Sequence, residues 1–291
     1  MSNTREYVMI TDSGCDLSAE QLQDMGLECI PLNVFMKDTP AQPCTLEGAD
    51  FYNALRNGQV ACTSAANLSA FREKYTRILE EGKDILFVSF SSALSCMHAT
   101  ARLAAEELSA EYPDRKIITV DSLCASMGQG LLMYYAAQKK AEGATIEELE
   151  DYLLKHRMHT IHWFTVDDLM FLKRGGRLGS VAAVAGTLLG IKPVLHVSDE
   201  GKLIVRSKVR GRKNALLALA KHFAEEVDDP TAQVYISQAD DMEAAELVKN
   251  TLMKEYGATN VVIGNIGAVV GAHAGPGTIA LFYVGKSRNE G

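Results

Sequence analysis

His273 stands in a run with four glycines and a proline, Gly267-Ala268-Val269-Val270-Gly271-Ala272-His273-Ala274-Gly275-Pro276-Gly277. Such a segment has a prescribed backbone path and one side chain able to do polar chemistry. Two further segments offer hydroxyls just ahead of helical patterning: Thr63-Ser64 within Ala61–Asn67, and Phe90-Ser91-Ser92-Ala93-Leu94-Ser95. The start of a helix presents unpaired N–H groups and the positive end of its dipole, so hydroxyls there suit an anion. The same residue types permit a hydrolase, with Ser95 or Ser13 as nucleophile, His273 as base and Asp12 or Asp121 orienting the base. Ala93-Leu94-Ser95-Cys96-Met97 lacks both glycines of a nucleophile elbow, and a serine at that junction also reads as a simple helix cap. Ligand binding, hydrolysis and capping all stay open on these residues alone.

Other chemistries are excluded by spacing. No G-x-G-x-x-G follows a strand, and residues 186–192 (GTLLGIK) have the wrong spacing for a phosphate loop. His156, His159 and His162 recur every three residues, but Trp163-Phe164 favours a strand, on which His159 and His162 face opposite sides. No carboxylate or cysteine stands beside them at ligand spacing, so no metal is expected.

The elements that must position these groups alternate between short β-branched runs and amphipathic stretches, the pattern of βα units. Strands are predicted at Tyr7–Thr11, Ile30–Phe35, Asp84–Ser89 and Lys116–Val120, then at 159–166, 191–197, 203–208, 233–237, 260–266 and 278–285. Helices are predicted from Ser18 as N-cap, over 48–56, 67–81, 96–110, 126–142, 146–155, 167–172, 212–227 and 242–256. The segments 39–45 and 267–277 read as loops. Three early strands end in Asp12-Ser13, Ser89 to Ser92 and Asp121-Ser122. That arrangement predicts a row of hydroxyls and carboxylates at the carboxyl edge of a parallel sheet, where ligands of open α/β sheets sit. A change of texture near residue 160 divides the chain into an N-terminal α/β domain (1–160) and a C-terminal α/β domain (161–291).

Composition narrows the setting. The 291 residues include 29 basic and 37 acidic ones, a formal charge of −8, with 47% apolar and 23% charged residues. A net negative chain without a Lys/Arg cluster argues against nucleic acid as a partner. No apolar stretch approaches the ~20 residues of a membrane span, and Met1–Glu6 lacks a signal-like apolar core, so a soluble cytoplasmic protein without stable membrane insertion is expected. Six cysteines, at 15, 29, 44, 62, 96 and 124, form no C-x-x-C pair and read as reduced thiols.

The order of these segments resembles the DegV family of fatty-acid-binding proteins over essentially the whole chain, about residues 7–286. The matching signatures are Thr11-Asp12-Ser13 with Asp16-Leu17, Thr63-Ser64, Phe90–Ser95, Val120-Asp121-Ser122, Leu172-Lys173-Arg174-Gly175-Gly176-Arg177-Leu178, and Ile266 through His273 to Gly277-Thr278. The chain departs from the family at Ala65-Ala66, where Gln-Pro is frequent, and at Cys96-Met97, where Gly-Thr usually follows the serine. The resemblance implies a two-domain DegV-like α/β fold of the EDD type, with a parallel-sheet N-terminal domain and a C-terminal α/β domain. It implies a long-chain, palmitate-like fatty acid as bound ligand, its carboxylate held by Thr63, Ser95 and His273, and no cofactor or metal. Such a protein is a carrier in lipid transport or fatty acid metabolism and performs no chemistry itself. Relatives in several bacteria present the lipid to a fatty acid kinase, which makes Arg174 and Arg177 candidates for partner docking, with Arg210, Arg212 and Lys213 as further cations. Phe35, Phe71, Met97 and Leu188 are apolar candidates for the pocket. The alternative is an enzyme: a serine hydrolase using Ser95 and His273, or a phosphotransfer component, since the N-terminal fold resembles one found in dihydroxyacetone kinases.

Overall fold

In the computed structural model, which describes residues 5–178 and 190–288, the apolar run Asp84–Ser89 is a strand buried at every position. Its side chains alternate between two helix-covered faces, Ile85 and Phe87 in one core and Leu86 and Val88 in another. The described strands are β1 (Tyr7–Asp12), β2 (Leu27–Ile30), β3 (Asn33–Met36), β4 (Ala61–Ser64), β5 (Asp84–Ser89), β6 (Ile117–Asp121), β7 (Thr160–Thr165), β8 (Ile191–Val197), β9 (Leu203–Arg210), β10 (Gln233–Gln238), β11 (Asn260–Asn265) and β12 (Ile279–Val284). The described α-helices are α1 (Ala19–Asp24), α2 (Gly48–Arg56), α3 (Leu68–Glu80), α4 (Met97–Glu111), α5 (Met127–Ala141), α6 (Ile146–His156), α7 (Met170–Gly175), α8 (Arg212–Glu226), α9 (Met242–Glu255) and α10 (Ala268–Ala274). Local signals set several ends. Ser18 with Gln21 and Thr145 with Glu148 form capping boxes, and Asn67 and Asp241 cap α3 and α9.

The fold is α/β, with a four-stranded parallel sheet in the order β2-β1-β5-β6 and a second, six-stranded sheet in the order β11-β10-β12-β7-β8-β9. In the second sheet only the β10–β11 pair is parallel. Its alternation is strict along β12. Ile279, Leu281 and Tyr283 pack under α8 and α9, while Ala280 and Phe282 face the first sheet's half of the molecule. There they join Phe90, Leu94, Met127 and Leu131 in one apolar cluster, so α5 serves as a shared layer between the sheets. The β8–β9 turn docks on the same seam. Gly201, at φ 74°, approaches so closely that a Cβ there would lie 2.2 Å from Ser91 Oγ, and its carbonyl accepts that hydroxyl at 2.9 Å.

Three expectations are corrected. The strand expected at Ile30–Phe35 is two strands, β2 in the parallel sheet and β3 outside it. Pro31 lies between them and has no N–H to continue a ladder, and the next amide, Leu32, donates to Ser13 Oγ at 2.9 Å. The segment before Asn67 is a strand as well as a capping segment, since β4 pairs antiparallel with β3. The glycine-rich segment around His273 holds a seven-residue helix, α10, with Gly267 as N-cap and Gly275 (φ 79°) closing it. The six cysteines are unpaired. Among the described residues no helix is long and apolar enough to cross a membrane.

Candidate functional site

Thr63 is presented by β4, where it pairs with Val34 of β3. His273 is presented by the last turn of α10, which packs against β3 and β4. The two side chains meet: Thr63 Oγ1 and His273 Nε2 are 2.7 Å apart and share one hydrogen bond. Ser95 lies at the junction leading into α4, where its Oγ accepts the Met97 N–H at 3.3 Å. It stands one residue ahead of Cys96, the N-cap of α4, and is also a side chain of the cavity wall.

These residues stand in the lining of one cavity of about 330 Å³, within the size range of small-molecule sites. Phe90, Leu94, Phe164, Val197, Leu203 and Phe282 form much of the remaining wall, so the chamber is cut into the apolar cluster that joins the sheets. Phe71 and Met97 belong instead to the core under α3 and α4, and Phe35 is absent from the lining. Leu188 lies outside the described residues.

The electrostatics are those of a site without a fixed negative charge at the imidazole. Burial, and then the nearby Arg177 guanidinium, pushes the His273 imidazole down to about 4, so it is neutral at pH 7. Its Nδ1 is buried without a hydrogen-bond partner. The row of polar groups expected at the sheet edge is there, but its members are spent on the loops. Asp12 accepts the N–H groups of Gly14 (3.0 Å) and Phe90 (2.7 Å), and burial lifts its carboxyl to about 7. Asp121 accepts from Ser92 (3.1 Å) and Leu123 (3.0 Å), and Ser122 Oγ from Cys124 (3.0 Å). Neither carboxylate orients His273, and Ser13 Oγ holds Leu32. The hydrolytic triad is not assembled.

The cations expected in a docking role divide. Arg174 is exposed on α7, its guanidinium 4.6 Å from the Phe171 ring centroid. Arg177 is turned into the cavity wall, where it donates through Nε to Leu94 O at 3.1 Å and through Nη1 to Gly175 O at 2.5 Å. Arg212 is tied to Asp241 at 2.9 Å and Asp167 at 3.4 Å, whereas Arg210 and Lys213 are exposed. His162 is fully buried at the chamber wall, its Nε2 accepting the Ala125 N–H at 3.2 Å, and among the described residues no cluster could hold a metal. Sequence reasoning missed Ser126 as a wall residue. No motif marks it, since its role follows from a strained backbone (φ 53°) that only the fold reveals.

Fold and site together define an α/β protein with an apolar chamber between two sheets, bordered by hydroxyls, a neutral imidazole and a guanidinium. The family model described as an uncharacterised protein of the DegV family matches residues 7–286, and the chain belongs to that family. It is 38% identical over 290 residues to a DegV domain-containing protein of Clostridium perfringens, covering 98% of this chain and 99% of the relative. Among solved structures it is similar to a DegV lipid-binding protein of Thermotoga maritima, with a TM-score of 0.85, 30% identity and coverage of 97% and 99% of the two chains. It is likewise similar to a DegV family protein of Thermus thermophilus described as fatty-acid binding, with a TM-score of 0.84, 28% identity and coverage of 97% and 100%.

Proposed function

We propose that this chain binds one long-chain, palmitate-like fatty acid and acts as its cytoplasmic carrier in lipid transport or fatty acid metabolism. The carboxylate is held by Thr63, Ser95 and His273, and the acyl tail fills the chamber. The observation that carries the reading is a largely apolar chamber whose wall also holds the Thr63–His273 pair and Ser95. Neutral donors hold a carboxylate without the strength of an ion pair, which keeps the head group releasable. The tail supplies most of the affinity: about fourteen buried methylenes at about 0.8 kcal/mol each amount to roughly 11 kcal/mol before immobilisation costs. Hydrogen bonds of about 1 kcal/mol each mainly set orientation.

Presentation to a fatty acid kinase completes the reading, with exposed Arg174 on α7 as the docking cation, while Arg177 is committed to the carbonyls of Leu94 and Gly175. Native mass spectrometry with lipid extraction tests the binding. A mass increment of one fatty acid is expected, and a lipid-free preparation that also ignored added palmitate and oleate would sink the proposal. Turnover of an activated ester that vanished in Ser95→Ala would move the protein to the hydrolases instead.

A further inference from the structure

The peptide plane between Ile266 and Gly267, immediately ahead of α10, is gripped at both of its polar ends. Its carbonyl accepts the Tyr52 hydroxyl at 2.6 Å, and its N–H donates to Asp16 Oδ1 at 2.9 Å. Both gripping residues belong to the first half of the chain, Tyr52 on α2 and Asp16 just beyond β1. Gly267 has no side chain with which to cap α10, so these two residues set the direction in which the helix leaves. The other carboxylate oxygen of Asp16 accepts the Ser126 hydroxyl, and Ser126 Oγ lies 3.0 Å from Ser237 Oγ on β10. Asp16 thereby ties the start of α5, the start of α10 and the second sheet to one point.

Two of the four described non-glycine residues with positive φ, Asp16 and Ser126, stand at this same point. The described non-glycine residues with positive φ are Asp16 (54°), Leu123 (51°), Ser126 (53°) and Asp240 (57°), and Ser126 takes its value in a region nearly reserved for glycine. Conformations of this kind persist only where the surroundings over-determine them, and they cluster at binding sites. The surroundings here are the Asp16 carboxylate and Ser237.

We infer that Asp16 and Tyr52 are the positioning residues of the head-group site. By clamping the 266–267 peptide plane they fix the axis of α10, and with it the contact of His273 with Thr63. The inference rests on the reading of Thr63, Ser95 and His273 as carboxylate ligands, but its first test needs no lipid. In lipid-free protein, the Gly271 N–H, bonded to Gly267 O at 2.8 Å, should exchange about tenfold faster in Asp16→Ala than in the parent, and the His273 imidazole nitrogen resonances should shift. Asp16→Asn keeps an acceptor for Gly267 and should restore both readouts. Tyr52→Phe releases the opposite end of the same plane and should reproduce the Asp16→Ala result, which also covers the case in which Asp16→Ala does not fold. Palmitate titration of the same set should give an affinity about tenfold weaker for the two disruptive variants. Unchanged exchange and unchanged His273 resonances in a folded Asp16→Ala or Tyr52→Phe protein would overturn the inference. A parent protein that binds no palmitate would instead overturn the fatty-acid reading, while the exchange data still decide the clamp.

Discussion

Gly175 and His273 touch across a space that only a missing side chain leaves open: a Cβ built on Gly175 lies 2.2 Å from His273 Nδ1. The imidazole is thus seated against the backbone of α7 on one side and bonded to Thr63 on the other. Gly175→Ala should push the ring away from Thr63. Overpacking of this kind costs about 1–3 kcal/mol, which as lost palmitate affinity is roughly a 5- to 150-fold weakening. Isothermal titration of delipidated protein measures it, and an affinity within twofold of the parent would refute the seating argument.

Thr63→Val removes the partner of His273 Nε2 in a ring whose Nδ1 is already unpartnered. Leaving a buried polar atom unpaired costs about 1–3 kcal/mol, so palmitate affinity should drop while the fold is retained. In a cycle with His273→Ala the two losses should fail to add by at least about 0.5 kcal/mol, as expected for groups in direct contact.

Ala280, on β12, lies in the chamber wall and in the apolar cluster between the sheets. Ala280→Leu adds three carbons where the lipid tail would lie. Lipid-free protein should melt about 2 °C or more higher, because buried methylenes stabilise it by about 0.8 kcal/mol each before side-chain entropy is subtracted. Palmitate binding should weaken at the same time. A variant that binds palmitate normally would place the tail elsewhere.

The buried Asp12 carboxyl makes stability depend on pH. Its folded value, about 7, lies above its ordinary value of 3.8 because burial disfavours the charge. Between these values the native state holds a proton that the unfolded chain has lost. Stability from this group therefore falls as pH rises, by up to about 1.4 kcal/mol per pH unit, and levels off above pH 7. His196 and His273, both pushed down to about 4, act in the opposite sense as pH falls below 6.5. The informative quantity is the difference between the parent and Asp12→Asn in urea unfolding at pH 5, 6, 7 and 8. Parallel curves for the two proteins would rule Asp12 out as the source.

Much of the first sheet could be read directly, because Asp84–Ser89 is apolar on both faces and Tyr7–Thr11 ends at a clear polar stop. Pro31 was the available signal for the break between β2 and β3, but a short apolar run on each side of it masked the change of sheet. The helix carrying His273 was hidden because its flanking glycines read as loop, whereas packing against β3, β4, α2 and α7 supplies what intrinsic propensity does not. The Thr63–His273 meeting is a contact across 210 residues of sequence. No local pattern encodes such a contact, and the family resemblance implies only that both side chains face one carboxylate. The sheet-edge Asp12 and Asp121 were legible as polar residues in the right place, but only the fold shows their oxygens committed to backbone amides.

The position of β12 has a consequence for how the chain is made. It runs between β10 and β7 in the middle of the second sheet and carries Ala280 and Phe282 of the chamber wall. All four strands of the first sheet have left the ribosome once Asp121 has emerged. The second sheet stays in two unjoined parts until synthesis has passed Val284. A nascent chain halted earlier therefore has a first sheet but no chamber, because the strand that closes the wall is the last of the described strands to be made.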